Sequence, residues 1–115
     1  MAYVYKICTG AVWDDALAKG VFAGATIDLT DGFIHLSTAA QAGVTASLFF
    51  KTGDDLVLVG FDDQTLTGLK YEPSRGGELF PHVFGTIDTK LALSVFKLVR
   101  QTDGTLKFPD GFQCV

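Results

Sequence analysis

The chain of 115 residues has the length of one domain, and its 48% hydrophobic content, including 10 Phe, is sufficient for a substantial core. A net charge of −4 and a pI of about 4.8 argue against nucleic acid or an anionic membrane as a partner. Uninterrupted apolar runs are only a few residues long, which excludes a bilayer-spanning helix. We therefore expect a single domain over residues 1–115, with its oligomeric state left open by the sequence.

The positions of glycine and cysteine indicate the fold class and the cellular compartment. Most of the 13 Gly stand beside Asp, Thr or another Gly, a pattern typical of short elements joined by tight turns. The predicted class is α+β with an excess of strand. Cys8 and Cys114 are far apart in the chain and fit no zinc-binding spacing. Two lone thiols and an N-terminus without a signal-like apolar stretch indicate a reducing cytoplasm.

The first third of the chain predicts a strand followed by a helix. Residues 3–8 are rich in β-formers, Thr9 is a suitable helix cap, and Gly20 ends a helix over roughly residues 11–19. Its apolar stripe is predicted to comprise Val12, Trp13, Ala16 and Leu17, with Trp13 as a core anchor. Residues 21–30 are weakly patterned, and we expect only a brief extended piece there.

Residues 31–41, DGFIHLSTAAQ, combine a turn, a strand, a polar site and a helix start. Asp31-Gly32 is a turn signal, and the alternation that follows directs Ile34 and Leu36 to the core and Phe33, His35 and Ser37 to the opposite face. Residues 38–41 match a capping box, so a helix is predicted to begin at Thr38 or one residue before it. A polar strand end beside a helix N-terminus is suited to a polar or anionic ligand. The alternative is that His35 is structural, bonded to a backbone carbonyl.

The remaining pattern alternates strands and turns. It first predicts a helix over 39–50 with Gly53 past its end, a central strand over 55–62 that is buried on both faces, and a strand over 69–72 closed by Pro73. A flexible loop over 74–79 and a compact group over 80–85 follow. The last third predicts a turn or a single helical turn at Ile87-Asp88, a long strand over 91–100 and a terminal hairpin through 105–108.

Chemistry-bearing residues concentrate in two places. His35 and His82 both lie in short apolar settings, FIHLS and FPHVF. The loop that contains Arg75 and Gly77 lies between Glu72 and Glu78. One interpretation is a solvated hairpin loop. The other is a loop whose glycines let the backbone approach a ligand closely. A metal site from His35, His82 and Glu72 has no ligand pair at helical or strand spacing to favour it. Ser37 lacks the sequence context of a hydrolase nucleophile.

Taken together, several motifs resemble a small bacterial family. They are YKI, Trp13, GFIHLST with Gln41, residues 69–72, Gly76-Gly77 and FPHVFG, and they span nearly the whole chain. The family is the domain of unknown function number nine hundred and fifty-two. It is similar in turn to the ADP-ribosyltransferase fold, above all to RNA 2′-phosphotransferases, in which a strand carrying His-Leu-Ser precedes an Ala-rich helix. The resemblance implies a split, strongly bent β structure with two or so helices and a cleft for NAD.

The resemblance also implies roles for particular residues. The catalytic candidates are His35, Glu72 and His82, and the candidates for contact with a nucleotide cofactor are Lys6, Ser37, Gln41, Arg75 and Gly77. Glu72 is preferred to Glu78 as the glutamate that stabilises a cationic transition state, because it ends a strand. Lys6 stands where the transferases carry His or Arg, and few basic residues are available for RNA. The alternative is a catalytically silent module that binds a small ligand or another protein on the same fold.

Overall fold

The computed structural model describes residues 2–50 and 55–109, and in these ranges it is a mixed α+β protein with a curled antiparallel sheet. The helices are α1 (Gly10–Lys19), α2 (Thr26–Asp31) and α3 (Ala39–Phe49). The strands are β1 (Tyr3–Thr9), β2 (Val21–Phe22), β3 (Ile34–His35), β4 (Ser37–Thr38), β5 (Leu56–Asp62), β6 (Leu69–Pro73), β7 (Leu79–Val83), β8 (Ile87–Asp88), β9 (Ser94–Arg100) and β10 (Leu106–Lys107). The predicted α+β class with an excess of strand is confirmed.

The largest sheet has the order β10-β9-β5-β1-β4, with antiparallel pairing throughout. β5 lies at its centre, and alternate residues point to opposite faces. Val59 and Phe61 pack into a core with Trp13 of α1, whereas Leu56 and Leu58 pack into a second core with Ala46 of α3. The predicted central strand, buried on both faces, is therefore confirmed.

Helix α1 follows the local signals of the sequence. Thr9 accepts a hydrogen bond from the Val12 N–H at 3.2 Å, and Gly20 ends the helix in the left-handed region at φ 78°. Trp13 is 3% exposed and contacts the rings of Phe22 and Phe61, so the predicted anchor is confirmed. The predicted apolar stripe is one residue too wide, because Leu17 is 52% exposed.

Helix α2 was not predicted, although the brief extended piece expected before it is present as β2. The structure therefore has three α-helices in the described residues, where two or so were expected. The N-cap of this helix is Ala25, whose side chain cannot accept a hydrogen bond as Ser, Thr, Asp or Asn would. Instead, Asp28 inside the helix accepts a hydrogen bond from the Ala25 N–H at 2.8 Å. The predicted Asp31-Gly32 turn is the end of this helix, with Gly32 at φ 87°.

The predicted strand around His35 is two short strands that belong to different sheets. β3 pairs with β7 in the order β3-β7-β6, whereas β4 pairs with β1 at the edge of the large sheet. At the break, the Leu36 N–H donates to the Pro81 carbonyl at 3.0 Å. Ile34 and Leu36 are 1% and 3% exposed, as the alternation predicted, but Ser37 is also buried at 4%. Residues 34–38, the sheet-crossing segment, thus connect the two sheets.

Helix α3 begins as the capping box predicted, because the Thr38 N–H donates to Gln41 Oε1 at 3.1 Å. It ends at Phe49, one residue before the predicted end, and Gly53 lies outside the described residues.

The second half of the chain differs from prediction at two points. The compact group at 80–85 is mostly strand β7, which forms a hairpin with β6 around the predicted loop. Ile87-Asp88 is a strand paired with β2, where a turn or a single helical turn was predicted, and a 3₁₀ turn follows at Thr89–Leu91. The long strand consequently begins at Ser94 and not at Leu91. The terminal hairpin is confirmed by the pairing of β10 with β9.

Candidate functional site

A cavity of about 490 Å³ lies where the sheet-crossing segment brings the two sheets together. Its apolar wall is formed by Ile7, Ile27, Leu36, Phe49, Phe50 and Phe80. Its polar wall includes Asp31, His35, Ser37 and His82. A largely apolar concavity with a few convergent polar groups is the usual form of a small-molecule site.

His35 is held at both ring nitrogens by carboxylates of α2. Its Nδ1 lies 2.7 Å from Asp28 Oδ1, and its Nε2 lies 3.0 Å from Asp31 Oδ2. The two partners differ in exposure, since the Asp28 side chain is 1% exposed and the Asp31 side chain 42%. The His35 ring therefore contacts a buried carboxylate, Asp28, at Nδ1 and a partly exposed carboxylate on the cavity wall, Asp31, at Nε2.

Asp28 is the centre of the buried polar cluster. Its carboxylate pairs with the Lys6 Nζ at 2.7 Å and accepts the His35 backbone N–H at 3.0 Å. Burial alone raises the pKa of Asp28, but the charge and hydrogen bond of Lys6 and the hydrogen bonds from His35 outweigh it and lower the pKa below its ordinary value. The carboxylate therefore stays ionised in the core.

Lys6 lines the cavity, but its ammonium group is directed to protein partners. Besides Asp28, the Nζ donates to the His35 carbonyl at 3.1 Å, and the residue is 5% exposed. The predicted cofactor contact through Lys6 thus competes with a buried ion pair that the sequence alone did not reveal.

His82 lies opposite His35 in the register of β3 and β7, and the two rings are 5.5 Å apart. The His82 Nδ1 lies 3.0 Å from Glu72 Oε1. Phe33 packs against both histidines, with its ring centroid 4.6 Å from that of His35 and 4.2 Å from that of His82. The structure thus brings together the three predicted catalytic candidates, with Glu72 reaching the cavity through His82.

Two of the predicted cofactor-binding residues, Ser37 and Gln41, are hydrogen-bonded to other residues of the protein. The Ser37 hydroxyl lies on the cavity wall and donates to Thr45 Oγ1 at 3.1 Å. Gln41 is 7% exposed, completes the capping box of α3 and donates to the Leu79 carbonyl at 2.8 Å. Its amide therefore ties α3 to β7 next to the site.

The glycine loop forms a 3₁₀ turn at Arg75–Gly77, closed by the Ser74 N–H donating to the Glu78 carbonyl at 2.9 Å. Gly77 is exposed at φ 79°, and Ser74 of the same loop lines the cavity. The Arg75 side chain lies outside the described part of the structure. The Glu78 side chain is exposed, whereas Glu72 is hydrogen-bonded to His82, so the two glutamates have different surroundings.

Three site residues were missed by the sequence reasoning: Asp28, Asp31 and Phe33. Asp31 was assigned to a turn, and Phe33 was placed on the face of His35 without a role. No sequence pattern near Asp28 indicated its role, because its partner Lys6 is distant in the chain and its partner His35 lies in another element, β3. No group of three or more His, Cys, Asp or Glu within residues 2–50 and 55–109 is arranged to hold a metal ion.

Comparison with known proteins agrees with the motifs around these residues. The family described as "Protein of unknown function (DUF952)" matches residues 7–95, which include the histidines, Asp28 and Glu72. The chain belongs to the DUF952 family. No curated protein matches the sequence significantly.

Solved structures similar to this DUF952 chain come from Caulobacter crescentus. The crystal structure of protein CC0527 is 40% identical and has a TM-score of 0.88, covering 91% of this chain and 93% of that one. The solution NMR structure of CC0527 is also 40% identical, with a TM-score of 0.82 and 91% of each chain covered. A crystal structure of a CC0527 double mutant is 39% identical, with a TM-score of 0.88 and the same coverage as the first.

Within the described residues of this DUF952 protein, no helix has the length and apolar character needed to cross a membrane.

Proposed function

We propose that the cavity binds NAD or a related nucleotide and that this cytoplasmic DUF952 protein is an ADP-ribosyltransferase-like enzyme. The observation that carries the proposal is the convergence of His35, Ser37 and His82 on one cavity of about 490 Å³, with Glu72 hydrogen-bonded to His82. That volume falls within the range of about 300–1,000 Å³ that is usual for small-molecule sites.

The two walls of the cavity suit the two parts of a nucleoside. Phe49, Phe50 and Phe80 offer apolar and aromatic surface for a planar ring such as nicotinamide or adenine. His35 and Ser37 on the polar wall are placed to hydrogen-bond the hydroxyls of a ribose.

Glu72 is the carboxylate best supported for transition-state stabilisation. Cleavage of a glycosidic bond to nicotinamide develops positive charge on the ribose, and a fixed carboxylate nearby lowers the energy of that state. The hydrogen bond between His82 and Glu72 fixes the orientation of the Glu72 carboxylate.

The second candidate function is a catalytically silent ligand-binding or protein-interaction module. It is favoured by the ion pair of Lys6 with Asp28, because the one Lys or Arg of the described cavity wall already has its charge compensated. A ligand without a diphosphate would suit such a wall better than a dinucleotide.

A binding and turnover experiment distinguishes the two. Purified protein is titrated by calorimetry with NAD, ADP-ribose and nicotinamide, and nicotinamide release from NAD is measured in parallel. A nucleotide at a hundred times its Kd is expected to stabilise the fold by about 2.7 kcal/mol in thermal unfolding. Binding with release supports the enzyme, and binding of ADP-ribose without release supports the silent module. Absence of binding to any adenine dinucleotide at millimolar concentration would overturn the nucleotide proposal.

A further inference from the structure

The two carboxylates on the His35 ring are not equivalent. Asp28 is held from several directions: its Oδ1 and Oδ2 accept from the Lys6 ammonium, its Oδ2 from the Ala25 N–H, and its Oδ1 from the His35 N–H as well as the ring. The Asp31 side chain is 42% exposed and contacts the other ring nitrogen at 3.0 Å. Moving Asp28 would break a buried network, whereas moving Asp31 requires a rotation at the surface.

This asymmetry determines which ring nitrogen keeps its proton. A neutral imidazole carries one N–H, and the hydrogen bond at one nitrogen decides which nitrogen it is. Since Asp28 is buried, ionised and acceptor-only, it requires a donor at Nδ1. The unprotonated nitrogen of neutral His35 is then Nε2, on the side of the ring that faces Asp31.

We propose that Asp28 is the positioning residue of His35 and holds its neutral ring with the proton on Nδ1. The unprotonated Nε2 then accepts a hydrogen bond from a ligand hydroxyl. That hydroxyl takes the place that the Asp31 carboxylate occupies in the free protein. The inference rests on the proposed function for the identity of the ligand, a ribose-bearing nucleotide. The orientation of His35 by Asp28 does not depend on that identity.

The geometry of the cavity is consistent with this exchange. Asp31 and His35 both line the cavity, whereas Asp28 lies behind the ring and is 2% exposed. An unprotonated Nε2 and the Asp31 carboxylate are both acceptors and form no hydrogen bond with each other. When Asp31 rotates outward, a ribose hydroxyl that donates to Nε2 therefore supplies a hydrogen bond that the neutral ring lacks in the free protein. Asp31 therefore acts as a placeholder, and Asp28 stays in contact with the ring in both states.

The first test reads the proton directly and needs no ligand. Nitrogen-15 NMR of the histidine rings is followed over a pH titration to its alkaline limit, where the two ring nitrogens of a single tautomer have widely separated shifts. Asp28→Asn alone would leave the Lys6 ammonium charged and buried without its carboxylate. The comparison therefore uses Lys6→Met, in which the Asp28 carboxylate keeps its hydrogen bonds with the Ala25 N–H and with the His35 N–H and ring, and the double variant Lys6→Met/Asp28→Asn.

We expect wild type and Lys6→Met to show one tautomer of His35, protonated at Nδ1, and the double variant to show averaged shifts of both tautomers. His82, which has its own partner in Glu72, is the internal control and should be unchanged in all three proteins. A His35 protonated at Nε2 in the neutral wild type, or the same Nδ1–H tautomer in the double variant, would overturn the positioning role.

The second test concerns Asp31 and uses ADP-ribose as the probe. Asp31→Ala removes the competitor for Nε2, so it should bind ADP-ribose at least as tightly as wild type, and in wild type the His35 Nε2 shift should move on binding. A tenfold weaker Kd in Asp31→Ala would show that Asp31 is itself a ligand contact and would overturn the placeholder role. If ADP-ribose fails to bind wild type, the proposed function fails, while the tautomer measurement still decides the role of Asp28.

Discussion

At the scale of single residues, His35 combines partial exposure with fixed hydrogen bonds. Its side chain is 30% exposed, so its removal should leave the fold intact. We expect His35→Ala to weaken binding of ADP-ribose by about 1–3 kcal/mol, because a ribose hydroxyl loses its partner in a partly dehydrated site. Titration calorimetry measures the loss. Tyr71→Phe is the control, since it removes a polar group that bonds to Asp63 outside the cavity. Equal losses in both variants would contradict the prediction.

Glu72 should matter more for turnover than for affinity. Glu72→Gln retains the shape and removes the negative charge, so we expect nicotinamide release to fall at least tenfold with little change in the Kd for ADP-ribose, as for a group that acts mainly in the transition state. Glu78→Gln is the matched control in the same hairpin and should retain the rate. A rate loss confined to Glu78→Gln would reverse the assignment of the two glutamates.

The buried pair of Lys6 and Asp28 predicts a specific acid sensitivity. The pKa of Asp28 is lowered on folding from an ordinary value of 3.8, so its contribution to stability is present above that pH and is lost as the pH falls toward the lower folded pKa. We expect urea unfolding from about pH 5 to about pH 2 to show a smaller acid loss in Lys6→Met/Asp28→Asn than in wild type. An equal loss in both proteins would place the acid sensitivity elsewhere.

At the scale of elements, Gly68 marks the close approach of β6 to the end of β7. It has φ +80°, and a Cβ at this position would lie 2.6 Å from the Phe84 carbonyl oxygen. Gly20, with φ +78° and nothing within 4 Å of a Cβ, is a matched control for backbone strain alone. We expect Gly20→Ala to cost about 1–2 kcal/mol of unfolding free energy and Gly68→Ala clearly more. Equal costs by urea denaturation would show that the β6–β7 contact adjusts freely.

The elements that the sequence predicted well are those with local signals. α1 has the Thr9 cap and the terminal Gly20, α3 has its capping box, and β5 has a continuous apolar run. α2 and β8 could not be predicted in the same way. α2 depends on contacts of Asp28 with distant residues, and β8 is a strand only because β2 pairs with it.

The sequence predicted some residues of the cavity site but not the carboxylates that contact the His35 ring. The alternation in residues 33–37 identified His35, and the hairpin placed His82 near Glu72. The partners of the His35 ring could not be found, because periodicity describes which face a residue occupies and not which distant carboxylate reaches it.

At the scale of the whole molecule, the five-stranded sheet and the β3-β7-β6 sheet should differ in local stability. β5 is hydrogen-bonded on both sides within the large sheet and contributes to both cores, whereas β3 has two residues and borders the cavity. We expect native-state hydrogen exchange to be slowest in β1 and β5 and faster in β3 and β7, with added ADP-ribose slowing exchange in the latter pair. Slower exchange in β3 than in β5 without ligand would contradict this order.

The sheet-crossing segment has a consequence for how the chain length can vary. Its five residues are in register with β7 at one end and with β1 at the other, so both ends are fixed in the sheets. One residue inserted between His35 and Ser37 would turn one of these side chains to the opposite face, since side chains alternate along an extended backbone. Homologues that retain both polar side chains on this wall should therefore carry no insertions or deletions between the two positions, even where the residue at Leu36 differs.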